Sequence, residues 1–189
     1  MQKSLFAIPC AALLLAGCGT QSTYVDPAGS KLVTNVGQAN IQDFAQAADS
    51  MVQSLIDNLI NQGKLHSGMA DQPALLAISR ITNQTGQHFD TDILIKKIRI
   101  ALLRTGKVQT STVLGLGGAE DPLAAENLKT TRLADYTLSG KIMQERARAG
   151  DVRQSAFIFQ LTLSSPAGIA VWEEEKTIVK QGTQPSVGF

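Results

Sequence analysis

The side chain with the most specific chemical signal in this 189-residue chain is the thiol of Cys18. It closes Leu15-Ala16-Gly17-Cys18, a small-residue box placed directly after the apolar run Leu5 to Ala16. Such a box marks where a signal peptide is cut and the new N-terminal cysteine is acylated. The apolar run is too short to cross a bilayer as a helix, and Lys3 supplies the positive charge before it. Cys18 is therefore expected to be the lipidated mature N-terminus, with residues 1–17, Cys10 included, removed as the signal peptide. The other reactive residue types assemble nothing comparable. The two histidines, His66 and His88, fall in a loop and in a turn, no cysteine follows Cys18, and H-E-x-x-H and G-x-S-x-G are both absent. Neither a catalytic metal nor a cofactor is expected, and an enzyme is not the reading.

Weaker signals have structural explanations. Gly115-Leu116-Gly117-Gly118 lacks the Lys-Ser/Thr of a phosphate-binding loop and reads as a mobile connection. Asp90 and Asp92 flank Thr91 at a helix start, where carboxylates accept from unpaired amides, so they read as caps rather than metal ligands. Asn83-Gln84-Thr85 matches a glycosylation triplet, but Asn and Thr are turn formers in their own right. Two groups of cations remain as candidate partner contacts: Lys96, Lys97 and Arg99, with Arg104, on one helix, and Arg146, Arg148 and Arg153 around a hairpin tip. The ordinary alternative for both is a solvated surface.

Seventeen basic residues balance sixteen acidic ones, and removal of Lys3 leaves the mature chain formally neutral. That balance has no footprint for gripping a phosphate backbone, so nucleic acid is excluded as a partner. With 43% hydrophobic and 17% charged residues, one compact domain is expected. Residues 18–39, rich in Gly, Ser, Thr, Asn and Gln, read as a flexible tether. Its 22 residues would extend to at most about 75 Å. As a coil they would average roughly 25 to 30 Å.

The domain is expected over residues 40–181, followed by a tail at 182–189. Ile41, Phe44, Ala48, Met51, Val52, Leu55, Ile56, Leu59 and Ile60 fall on one stripe of a long helix, capped by Asn40, favoured by Asp43 at its positive end and stopped by Gly63. Ala74 to Ile81 is a nearly continuous apolar run, as in a strand buried on both faces, and Thr82 to Gly86 reads as a turn. A second helix runs from a cap at Asp90 or Thr91 to Gly106, and Lys107 to Val113 returns as a strand, which makes a parallel strand-helix-strand unit. A short helix is expected from Pro122. Strands at Tyr136 to Glu145, Ser155 to Ser164 and Ile169 to Val179 then form an antiparallel meander, with Phe157, Phe159, Leu161 and Leu163 on one face and a tight turn at Pro166-Ala167-Gly168. Glu173 to Glu175 would guard a sheet edge. The fold class is α/β (α+β mixed): a single small domain with a mixed sheet flanked by helices.

In that order of elements, Ala134-Asp135-Tyr136-Thr137-Leu138-Ser139-Gly140, then Gln160-Leu161-Thr162-Leu163 and Val171-Trp172, resembles the LpoB family of penicillin-binding protein activators. The resemblance covers roughly residues 40–181 and the lipobox. It implies an outer-membrane lipoprotein, held in the inner leaflet by acyl chains at Cys18 and facing the periplasm, that binds a bifunctional penicillin-binding protein and stimulates peptidoglycan synthesis. Gly19, rather than aspartate, follows the cysteine, as in lipoproteins sorted to the outer membrane. Members that cross the periplasm carry long, Pro-rich tethers, whereas this tether is short and holds one proline, Pro27. The same pattern is similar to periplasmic domains of curli-type secretion channels and of the Tol system, and implies a structural lipoprotein of a trans-envelope assembly as the alternative.

Overall fold

A computed structural model describes Asp26, residues 38–112 and residues 132–183. The chain divides into two units, Met1–Leu32 and Val33–Phe189, and every element below belongs to the second. The signal peptide, Cys18 and most of the tether lie outside the described residues, as do the Gly115 loop and the helix expected from Pro122.

Helix α1 spans Ile41–Leu55 and continues as one π-helical segment over Ile56–Ile60. A capping box starts it: Asn40 Oδ1 accepts from the Gln42 N–H (3.3 Å) and Asp43 Oδ2 accepts from the Asn40 N–H (2.8 Å). The expected stripe is the one that packs, with Phe44, Ala48, Met51, Val52, Leu55, Ile56 and Ile60 buried. Gly63, at φ 64°, closes this run, and Gly106, at φ 66°, follows helix α2, Asp92–Arg104. Of the two caps weighed for α2, Thr91 occupies the N-cap position without a side-chain bond, and the Asp90 carboxylate before it accepts from the Asp92 N–H at 2.9 Å.

Five strands form one sheet: β1 (Ala74–Gln84), β2 (Val108–Thr110), β3 (Tyr136–Ala149), β4 (Val152–Ser164) and β5 (Ala170–Thr183), in the order β2-β1-β3-β4-β5. β1 pairs in parallel with β2, as the strand-helix-strand reading requires, and also with β3; β3, β4 and β5 make the antiparallel meander. Both α1 and α2 contribute to the core with the same sheet face, on which Leu76, Ile78, Ile81, Leu138, Ile142, Phe157, Phe159, Leu161 and Leu163 are buried. Phe44 of α1 stacks on Phe89 (4.8 Å between centroids) and meets Phe157 and Phe159 edge-on.

Several boundaries move. β1 runs through Thr82, Asn83 and Gln84, which pair with Lys141, Ile142 and Met143. The expected turn exists but comes later, where Asn83 Oδ1 accepts from both the N–H (3.0 Å) and the hydroxyl (2.7 Å) of Thr85. That local use of Asn83 accounts for the N-x-T triplet. β3 and β4 are both longer toward their shared turn, and β5 continues to Thr183, past the expected end at Val179. Gly168 closes the β4–β5 turn by donating to Ser165 O at 2.9 Å.

Candidate partner-docking surfaces

Alternation places Arg146 and Arg148 of β3 on the same face as Leu138 and Ile142, and Arg153 of β4 on the same face as Phe157 and Phe159. These arginines lie on the helix-covered side of the sheet, beyond the point where the cover ends. That limit is marked by Asp43, whose carboxylate holds Lys180 at 2.8 Å, and by Phe44 against Phe157. Further along, Arg146 pairs across the ladder with Ser155, and Arg148 directly with Arg153. All three arginines are exposed. Directly opposed cross-strand residues have their Cβ atoms about 5 Å apart, and like charges there are unfavourable. Glu145 alternates onto the other face and Asp151 sits in the turn, so this face of the hairpin end is basic throughout. Two of the guanidinium groups are partly held. Arg146 donates to Gln144 Oε1 (3.1 Å), which also accepts from the Gly86 N–H (3.0 Å), and Arg148 donates to Gly150 O (3.0 Å). Gly86 passes so close to this group that a Cβ there would sit 2.6 Å from Arg146 Nη2.

The second candidate group does not stay together. Lys96, Lys97 and Arg104 are exposed, but Arg99 is only 8% exposed and faces the core side of α2. Lys97 and Arg99 are two positions apart, which is about 200° around a helix, so they cannot share a face. Arg99 is therefore removed from the expected contact surface.

A polar cluster that sequence reasoning did not single out joins the start of β3 to the loop before β1. The Asp135 carboxylate accepts from the N–H groups of Gly68 and Leu75, both at 2.8 Å, and from Arg132 Nη2 at 2.6 Å. Arg132 also donates to Ser67 Oγ, Gln72 Oε1 and Pro73 O. Burial of Asp135 works against its charge, but the Leu75 and Gly68 amides and the Arg132 guanidinium outweigh it and hold the carboxyl below its ordinary value. The cluster is a brace: it fixes the entry of the β1–β3 pair, where the Asp135 N–H also donates to Leu75 O (2.8 Å). Only the spacing of Arg132 and Asp135 hinted at it, because their other partners lie 59 to 67 residues away.

His66 and His88 are both exposed, and no group of three or more His, Cys, Asp or Glu able to hold a metal occurs among the described residues. The outward sheet face carries a shallow polar hollow of about 230 Å³ lined by Thr82, Gln84, Ser139, Lys141, Gln160 and Thr162. Next to it, edge strand β5 sets Glu173 and Glu175 against Thr162 (3.0 Å) and Gln160 (2.6 Å). No described helix is long and apolar enough to cross a membrane.

The described residues thus form a mixed α/β domain with one five-stranded sheet. Residues 43–132 match the family model for the peptidoglycan-synthase activator LpoB. The match takes in both helices, β1 and β2 and stops at Arg132, before the meander that carries the three hairpin arginines. Among solved structures the chain is similar to the LpoB C-terminal domain from Escherichia coli, with 16% identity, 72% of this chain and 98% of that chain covered, and a TM-score of 0.44. The corresponding domain from Salmonella enterica gives 16% identity, the same coverages and a TM-score of 0.41. Lipoprotein GNA1162 from Neisseria meningitidis gives 15% identity, coverages of 60% and 88%, and a TM-score of 0.39. No curated protein matches the chain.

Proposed function

We propose that this chain is an outer-membrane lipoprotein, anchored by acyl chains at Cys18 and facing the periplasm, that binds a bifunctional penicillin-binding protein and activates peptidoglycan synthesis. The observation that carries the reading is the match of residues 43–132 to the LpoB activator family. The protein acts through binding energy rather than through catalytic groups of its own: by preferring the active conformation of the synthase, it shifts the population toward that state. Docking uses the uncovered end of the sheet, where Arg146, Arg148 and Arg153 present a basic face to acidic groups of the synthase. Such complementarity contributes to orientation and to association rate as well as to affinity.

Crosslinking in cells from a photoreactive residue in place of Gly182 tests the partner and the face together, since Gly182 pairs directly with Arg153 and so shares its face without belonging to the cluster. Capture of a bifunctional penicillin-binding protein is expected; capture of secretion-channel or other trans-envelope components in its place would overturn the reading. The anchor is tested by Cys18→Ala, which is expected to release the protein from the outer-membrane fraction. A variant still sedimenting there after high-salt washing would contradict it.

A further inference from the structure

α2 carries a second surface, distinct from the hairpin arginines in both position and chemistry. Three large apolar side chains on this helix face outward: Ile93 is 46% exposed, Ile100 41% and Leu103 46%. Lys96, Lys97 and Arg104 are exposed beside them. At 3.6 residues per turn these six positions fall within about 120° of the helix circumference, with Ile93 and Ile100 near its centre and the cations on either side. No acidic residue occurs from Ile93 to Arg104; Asp92 stands only at the N-terminal edge. The C-terminal end is extended by Lys107, whose ammonium donates to Asn61 Oδ1 (3.0 Å). The opposite side of α2, with Leu94, Ile95, Ile98 and Leu102, is buried in the core and fixes the helix to the domain.

We infer that this stripe rests on an anionic phospholipid surface, with Ile93, Ile100 and Leu103 entering the headgroup boundary and Lys97 and Arg104 meeting lipid phosphates. Apolar residues flanked by cations on a helix without intervening acids are the pattern of an interfacial helix. A single 13-residue helix is too small to hold a domain at a membrane alone, and it acts here as the second of two signals, the first being the acylated cysteine. The inference rests on the anchored reading above. A 22-residue tether confines the domain to the vicinity of its bilayer, so even weak contact becomes effectively intramolecular. The consequence is orientation: with α2 down on the lipid, the domain is held in a fixed attitude instead of tumbling on its tether.

The test uses the acylated full-length protein with Ile100→Cys, labelled with an environment-sensitive fluorophore, in vesicles of phosphatidylethanolamine and phosphatidylglycerol that contain nitroxide-bearing lipid. Thr177→Cys, on the exposed outward face of edge strand β5, serves as the control position. Co-sedimentation reports the anchor, and quenching reports the face. Expected are co-sedimentation of both proteins, a blue-shifted and quenched label at position 100, and an unquenched label at position 177. Lys97→Glu and Arg104→Glu are each expected to lower the ratio of docked to undocked chains roughly fivefold, an effect reproduced by high salt or by phosphatidylcholine vesicles. Protein that sediments with an unquenched label at position 100 would overturn the inference and leave the anchor standing. Protein that fails to sediment would overturn both. Protection of position 100 only when a bifunctional synthase is added, with no response to lipid, would assign the stripe to a protein contact and likewise overturn the inference.

Discussion

The same face of the same two strands is core at one end and basic surface at the other. Leu138, Ile142, Phe157, Phe159 and Leu163 point toward the helices and are buried; a few residues along, the positions with the same facing hold Arg146, Arg148 and Arg153. The backbone does not change between them, for β3 and β4 stay paired in continuous register from Thr137↔Ser164 to Ala149↔Val152. What changes is the cover, which runs out where Phe44 and Phe89 stack and Asp43 holds Lys180. Strand pairing thus determines which side chains face together, and the presence of a helix above them determines whether those side chains are driven together by water or left to meet a partner. The buried end answers to stability and the uncovered end to the docking proposed above, and substitutions should separate the two.

The largest effect is expected at the covered end. Phe157→Ala removes a fully buried ring that contacts Phe44 and should cost about 3 to 5 kcal/mol, measured as a lowered urea midpoint at unchanged slope. A loss below about 1 kcal/mol would mean that the ring is not part of the packed core.

An intermediate effect is expected at the Asp135 brace, where charge contributes to stability rather than to binding. Asp135→Asn removes a charge-assisted bond to Arg132 and should cost about 1.5 to 3 kcal/mol at neutral pH. Because the folded-state pKa lies below the unfolded one, the stabilisation is complete above the ordinary carboxylate range and is lost as pH falls through the folded value. Acid titration of stability should therefore be steeper for the native protein than for Asp135→Asn. Parallel curves would show that the carboxylate is not the acid-sensitive group.

The smallest effect, with the opposite sign, is expected at the uncovered end. Arg148→Gln relieves the direct opposition with Arg153 and should leave stability unchanged or raise it by about 0.2 to 1 kcal/mol, read as an unchanged or raised thermal midpoint. A clear loss of stability would assign the arginines a structural role and erase the contrast between the two ends.

This division also explains what the sequence made legible. α1 was readable because its apolar stripe, its Asn40 cap and its terminating glycine agree, and β4 because Phe157, Phe159, Leu161 and Leu163 alternate without interruption. The hairpin end was not readable as strand, because arginine, serine and glutamine replace apolar residues on the inward positions there and the period of two disappears from the hydrophobicity while persisting in the backbone. The parallel pairing of β1 with β3 was equally invisible: it joins residues about 60 apart, and no local pattern records it. The site was half legible. The cations of the hairpin were named, but their placement on one face follows only from register, and Arg99 was grouped with Lys96 and Lys97 by proximity in sequence although helical geometry turns it inward.

The most direct measurement of the central claim is the glycan-polymerisation rate of a bifunctional penicillin-binding protein from the same cell, taken with the full-length protein and with Arg146→Glu, Arg148→Glu and Arg153→Glu combined, alongside the affinity of each for the synthase. The native protein should raise the rate while producing no glycan change when incubated without the synthase, and the triple variant, folded by its thermal transition, should lose both binding and stimulation. Stimulation that persists undiminished in the triple variant would remove the uncovered end of the sheet from the docking surface, and absence of stimulation by the native protein would contradict the activator function itself.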